Sequence, residues 1–118
     1  MEIHGRDDEN IPLAGGYGPN GIAKIEWLPV EHVMSQFRSA AGCSVPALSR
    51  NGPVQTAQSS CPGGREVTLL TIDGVGHQWP GGKKPGLLAR MILALDPPSQ
   101  ALDATATLWR FFTRHRAP

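Results

Sequence analysis

The sequence predicts one part of an α/β domain, in which helices cover a parallel sheet. Three observations indicate this class: one run of strand-forming residues at 66–73, an amphipathic helical pattern on each side of it, and a glycine-rich loop directly after the strand. At 118 residues the chain has the length of a single domain. Because one strand cannot form a sheet, we expect further strands to come from outside these residues.

The first half of the chain predicts a strand stub and one helix. Met1–Ile3 is expected to be the end of a strand, because His4 and Gly5 open a polar loop. From Pro29 to Ala41 apolar residues recur at three- and four-residue spacing, which predicts a helix. Pro29 suits the first helical position and Gly42 the position after the last one.

The second half predicts one strand and a closing helix. Cys43–Arg65 shows no periodic pattern, so we expect an irregular excursion. Glu66–Asp73 is predicted to be a strand buried on both faces, and the only complete strand. A weaker apolar stretch, Leu87–Leu95, is stopped by Asp96 and two prolines, and Asp103 is predicted to cap a helix that ends near His115.

Composition excludes several classes of partner. The chain has 11 Lys and Arg against 10 Asp and Glu, and this net charge of +1 offers no basic field for nucleic acid. No apolar stretch reaches the roughly 18 to 20 residues that a membrane span needs. Residues 1–8 lack the basic start and apolar run of a signal peptide.

His77 is the leading candidate for chemistry. It follows the predicted strand in a loop where Gly74 and Gly76 allow a sharp turn. If the stub and the strand are parallel neighbours, an acid from residues 7–9 meets this imidazole, as in the base-orienting half of a nucleophilic triad. His32 and His115 lie in the predicted helices and are interpreted as structural or solvated.

A nucleophile and a cofactor site are missing from the sequence. The only glycines four apart are Gly82 and Gly86, with Lys84 rather than serine between them, so no Gly-x-Ser-x-Gly elbow exists. The glycine-rich segments do not match a phosphate loop. A metal site using His4, Asp7 or Asp8, and His77 is disfavoured because no two of these ligands lie four residues apart on a predicted helix, as in a zinc hydrolase. We therefore expect no cofactor and no metal.

The two cysteines leave two interpretations open. Cys43 and Cys61 are too far apart for a CxxC pair, and no others exist to complete a zinc site. They either form a disulfide across the excursion or remain two buried thiols.

Several segments together resemble one family of esterases. HGRDDENIP at 4–12 resembles the HGxxDxxVP segment of α/β-hydrolases, and IDGVGHQWPGG at 72–82 resembles the GGGHxWPGG segment of the polyhydroxybutyrate depolymerase and feruloyl esterase family. Shorter likenesses are AGCS at 41–44 to NGCS, CPGG at 61–64 to CxGG, and 103–112 to DAxxxxWxFF. The resemblance implies that residues 1–118 are the C-terminal part of one α/β-hydrolase fold, whose nucleophile-bearing part lies upstream.

By this resemblance, Asp8 matches the triad acid, and His77 matches the triad base. Trp79 would line the substrate pocket, Cys43 and Cys61 match a pair that the family commonly bridges, and His4 is positional. The implied function is carboxylic-ester hydrolysis of a polyester or feruloyl-type substrate by a secreted or periplasmic enzyme. This chain alone is expected to be inactive without the missing serine and oxyanion donors. The alternative is a non-catalytic interaction module or decayed remnant that docks on a partner chain.

Overall fold

The computed structural model describes residues 1–93 and 96–115 as a mixed α/β fold. Its strands are β1 (Glu2–Gly5), β2 (Gly16–Tyr17), β3 (Glu26–Trp27), β4 (Ala47–Asn51), β5 (Val54–Cys61) and β6 (Arg65–Ile72). Its α-helices are α1 (Val30–Ala40), α2 (Leu87–Leu93) and α3 (Ala104–Arg114).

The main sheet has four strands in the order β1-β6-β5-β4. β1 runs parallel to β6, with Ile3 opposite Leu70 and Gly5 opposite Ile72. β5 pairs antiparallel with β6, and β4 pairs antiparallel with β5. The predicted parallel pairing of the stub with the strand is confirmed, whereas the prediction of a purely parallel sheet is wrong. A second ladder joins β2 to β3.

The segment between the cysteines is the main correction. We predicted no element across Cys43–Arg65 and only one complete strand, but β4 and β5 form a hairpin there. β4 is exposed throughout and five of the eight residues of β5 are polar, so neither sequence alternates between apolar and polar residues as a half-buried strand does. Gly52, at φ +55, supplies the turn between them. Backbone pairing with β6, rather than apolar burial, defines this hairpin.

β6 forms the centre of the core. Its last five residues, from Thr68 to Ile72, are all buried, and Ile72 has no exposed surface. Because side chains alternate along a strand, this confirms the predicted burial on both faces. α1 packs against β6, and its Met34 side chain is buried.

The helix ends follow the predicted capping signals closely. α1 begins one residue after Pro29, and Gly42 adopts φ +66 just beyond its end. The Asp103 carboxylate accepts a hydrogen bond from the Ala106 amide at 2.9 Å, which confirms the predicted cap of α3. α2 covers the apolar stretch predicted from Leu87, except that residues 94–95 lie outside the described part.

Helix length also bears on membrane insertion. No helix among the described residues combines the length and apolar character needed to cross a bilayer.

A disulfide joins Cys43 to Cys61, so the interpretation as two buried thiols is wrong. The bridge connects the chain just after α1 to the last residue of β5, at a sequence separation of 18. A crosslink of this length restricts the unfolded chain and so stabilises the folded one.

Replacing both cysteines with serine is expected to lower the free energy of unfolding by about 3 kcal/mol, because the unfolded chain regains the freedom of the closed loop. Urea titration followed by circular dichroism measures this change. The wild-type chain unfolded in a thiol reductant is the matched control and should show the same loss. An unchanged urea midpoint in both samples would contradict the prediction.

Candidate active site

Two loops meet where β1 and β6 end. We call residues 6–11 the acid loop and residues 73–82 the histidine loop. Because the strands are parallel, their carboxyl ends lie at the same edge of the sheet. The Asp7 amide donates to the Val75 carbonyl at 3.0 Å, so the loops are joined through their backbones. A Cβ at Gly5 would overlap the carbonyl oxygens of Val75 and Gly76, so only glycine permits this approach.

An ion-pair network also ties the loops together on the exposed side. The Asp73 carboxylate accepts hydrogen bonds from Arg50 Nη1 at 2.5 Å and from Arg6 Nε at 2.6 Å. These two guanidinium groups, Arg50 foremost, hold the pKa of Asp73 below its usual range. The Asp73 carboxylate therefore links the histidine loop to Arg6 of the acid loop and to Arg50 of β4.

Asp8 is fixed by its own loop. Its carboxyl group is 6% exposed, and Oδ1 accepts hydrogen bonds from the amides of Asn10 and Ile11, each at 2.8 Å. An aspartate carboxylate commonly accepts hydrogen bonds from the backbone amides two and three residues further along the chain. Because Oδ1 has two donors, Oδ2 is the oxygen left to face the histidine loop.

The imidazole of His77 is oriented by this carboxylate. His77 Nδ1 donates to Asp8 Oδ2 at 2.8 Å, so the neutral ring carries its proton on Nδ1 and leaves Nε2 as an acceptor. The His77 side chain is 40% exposed, and Nε2 has no hydrogen-bond partner within residues 1–93 and 96–115. This geometry suits a general base whose other nitrogen is held in place.

An apolar cleft of about 810 Å³ adjoins the imidazole. Its lining includes Ile3, Trp27, Phe37, Trp79 and His77. Trp79 is half exposed, and its Nε1 donates to Thr105 Oγ1 at 3.0 Å, which fixes the position of the indole ring. Large apolar walls beside a polar reactive group are typical of small-molecule sites.

His4 lies beneath the acid loop. Its ring is buried, Nε2 donates to the Ile11 carbonyl at 2.9 Å, and the same nitrogen is 3.9 Å from Asp8 Oδ2. Glu2 Oε1 lies 3.5 Å from Nδ1, and this contact is the main cause that raises the pKa of His4 above its ordinary value. His4 therefore bonds to Ile11, whose amide holds the Asp8 carboxylate, and it makes no hydrogen bond with His77.

The raised pKa of His4 predicts a pH-dependent stability. The folded chain binds this proton more tightly than the unfolded chain, so the contribution is complete below the ordinary pKa of 6.5 and is lost as pH rises through the folded value. We expect the free energy of unfolding to fall across that window, as measured by urea titration at stepped pH. Glu2→Gln, which removes the main cause, should flatten the fall. An equally steep fall in that variant would contradict the prediction.

The remaining candidate histidines and acids lie elsewhere. His32 is exposed on α1, where its Nε2 is 3.1 Å from Gln36 Nε2. His115 follows the last residue of α3, and its Nε2 is 3.4 Å from a Glu66 carboxylate oxygen. Asp7 is exposed, whereas Asp8, one residue later, is buried against His77.

Sequence reasoning missed two groups at the site. The Asp96 carboxylate accepts a hydrogen bond from the His77 backbone amide at 3.0 Å, from 19 residues away. In the sequence Asp96 was interpreted only as a residue that, with two prolines, ends a helix. No local sequence pattern indicates its bond to His77. Trp27 reaches the cleft on the β2–β3 ladder, a pairing too short to leave a periodic signal.

The described part of the site carries no hydroxyl or thiol nucleophile and no metal centre. None of the residues that line the cleft is serine, threonine or cysteine. No three His, Cys, Asp or Glu side chains within residues 1–93 and 96–115 cluster closely enough to hold a metal ion.

The fold and the site define a class: a disulfide-bonded, mixed α/β unit with an oriented acid–imidazole pair where two parallel strands end. Comparison with known proteins adds no family, because no family model, no curated protein and no solved structure matches the chain. Membership of the esterase family therefore remains a prediction from the motifs.

Proposed function

We propose that this chain supplies the acid and the base of a serine carboxylic-ester hydrolase, with Asp8 as the acid and His77 as the base. The observation that carries the proposal is the 2.8 Å bond from His77 Nδ1 to Asp8 Oδ2. Its setting supports the same roles, because the two backbone amides on Oδ1 keep the carboxylate from turning away. Such a pair positions Nε2 to accept a proton.

In the proposed mechanism, His77 Nε2 takes the proton of a serine hydroxyl as its oxygen attacks the ester carbonyl. The Asp8 carboxylate stabilises the resulting imidazolium, and His77 then returns the proton to the leaving alcohol. Water attacks the acyl-enzyme by the same route, with the proton passing through Nε2 to the serine oxygen. The ring therefore ends each cycle neutral.

The serine is proposed to come from sequence outside these 118 residues. The sequence contains no Gly-x-Ser-x-Gly segment, and no residue lining the described cleft is serine, threonine or cysteine. β1 is the edge strand of the described sheet, so its outer edge is where a further strand would pair. The chain alone is then expected to show no ester turnover.

The cleft supports an ester with an apolar or aromatic acyl group. Trp27, Phe37 and Trp79 contribute large apolar surfaces near His77. This lining is compatible with both a polyhydroxyalkanoate and a feruloyl ester. The Cys43–Cys61 disulfide fits an oxidising compartment, so we propose a secreted or periplasmic setting.

A second candidate function is a non-catalytic interaction module. The observation in its favour is the exposure of large apolar side chains on α2 and α3. Leu87 is 74% exposed, Met91 74%, Trp109 71% and Phe112 60%. Surfaces of this kind mark contacts with another part of a protein or with a partner.

The coding DNA upstream of Met1 distinguishes the two functions. An in-frame Gly-x-Ser-x-Gly-Gly segment would define the polypeptide to assay, with p-nitrophenyl butyrate and methyl ferulate as substrates. Ester turnover by that polypeptide supports the proposal. If the codon of Met1 is instead a genuine start codon with a ribosome-binding region before it, and no such segment lies upstream, the proposal is overturned in favour of the interaction module.

A further inference from the structure

We propose that Asp96 is a positioning residue for His77, a role that rests on the proposed function of His77 as the base. Asp96 Oδ2 accepts the His77 backbone N–H at 3.0 Å. A carboxylate acceptor makes this bond stronger than one to a neutral carbonyl. Asp8 therefore fixes the ring of His77, while Asp96 fixes the backbone from which the ring extends.

Gly76 permits this contact. A Cβ placed on Gly76 would overlap the carboxylate of Asp96, so the acid lies directly against the Gly76 Cα. Gly74, by contrast, has φ +71 and supplies the turn of the loop. The two glycines have different purposes: Gly74 sets the path of the backbone, and Gly76 leaves room for the acid.

The segment from Asp96 to Ala104 follows the histidine loop beyond this contact. The Ser99 carbonyl accepts from the Gly81 amide at 2.7 Å, and the Ala104 amide donates to the Pro80 carbonyl at 3.0 Å. The loop is thus held at several points by this segment, and at Val75 by the acid loop. Asp96 is the point in the segment that bonds to His77 itself.

Loss of the carboxylate should loosen the ring as well as the backbone. Without Asp96 the His77 peptide can rotate, and rotation moves Nδ1 away from the buried Asp8 oxygen, which its own two amide bonds hold in place. The bond between Nδ1 and Asp8 would then be formed for a smaller fraction of the time. Solvent would reach the Nδ1 proton more often, and its exchange rate reports this directly.

The test measures exchange of the His77 Nδ1 proton with water by NMR in the ¹⁵N-labelled full chain. Asp96→Ala is expected to raise the exchange rate about tenfold, the effect of losing one hydrogen bond to a charged group. Asp96→Asn keeps an oxygen acceptor and should give a smaller rise. Gly76→Ala displaces the carboxylate and should match Asp96→Ala.

Asp103→Ala is the matched control, because it removes a capping carboxylate of α3 without touching His77. It should lower stability and raise the Nδ1 exchange rate far less than Asp96→Ala does. An unchanged rate in Asp96→Ala, or an equal rise in Asp103→Ala, would overturn the positioning role. If Asp96→Ala does not fold, an unchanged rate in Gly76→Ala overturns it instead.

The readout requires no ester turnover, so the two proposals fail separately. Absence of turnover in the nucleophile-bearing polypeptide, together with a response to Asp96→Ala, would overturn the esterase function and leave the contact with His77 intact. Turnover without a response would overturn only the role of Asp96.

Discussion

Replacing His77 with alanine is expected to lower kcat for ester hydrolysis by about 10⁴-fold or more in the polypeptide that carries the nucleophile. The imidazole is the one group in the described cleft that is held by a buried carboxylate and presents a free acceptor nitrogen. Without it the serine hydroxyl keeps its proton and is a poor nucleophile. Steady-state kinetics with p-nitrophenyl butyrate measures the loss, with KM expected to change far less.

The matched control is His32→Ala. His32 is exposed on α1 and does not line the cleft, so its replacement is expected to leave kcat unchanged. Circular dichroism should show both variants folded. A kcat for His77→Ala within about tenfold of the wild type would exclude His77 as the base, since general-base catalysis alone contributes about 10² or more.

Asp8→Asn is expected to lower kcat by about 10⁴-fold through the wrong imidazole tautomer. The amides of Asn10 and Ile11 require an oxygen at the Oδ1 position, so the new amide places its NH₂ group toward His77. A donor then faces Nδ1, which must become an acceptor, and the ring proton moves to Nε2. The nitrogen that should accept the serine proton is thereby blocked.

Two measurements distinguish a change of the His77 tautomer in Asp8→Asn from a general loss of structure. The ¹⁵N shifts of the His77 ring in the full chain should move from the Nδ1–H to the Nε2–H form in Asp8→Asn. Asp7→Asn is the control, because Asp7 is exposed and meets the histidine loop through its backbone amide. An unchanged tautomer in Asp8→Asn would show that Asp8 does not orient the ring.

Much of the site's framework could be predicted from the sequence. The strand ending at Ile72 carries the apolar run that its burial requires, and the helices α1 and α3 carry apolar residues at helical spacing. The meeting of Asp8 with His77 followed from one rule, that parallel neighbours end at the same edge. The choice of Asp8 over Asp7 came from the motif, because local pattern alone could not decide which acid turns inward.

The β4–β5 hairpin and the bond between His77 and Asp96 could not be predicted, because neither depends on the local sequence pattern. β4 is exposed throughout and β5 is mostly polar, and backbone pairing of β4 with β5 and of β5 with β6 holds them in the sheet. The bond from His77 to Asp96 depends on how two distant segments pack, and a lone aspartate before prolines has an adequate local explanation as a helix stop. In both cases tertiary contacts decide, and single-sequence patterns are weakest there.

The position of the Cys43–Cys61 bridge affects the order in which the sheet forms. β4, β5 and β6 pair through short connections, whereas Asp8 and His77 are 69 residues apart and meet only when β1 joins β6. Closing so long a loop costs more chain entropy, so we expect this step to come last in folding. The bridge lies within that loop and shortens its effective length. It thereby favours assembly of a site to which it contributes no atom.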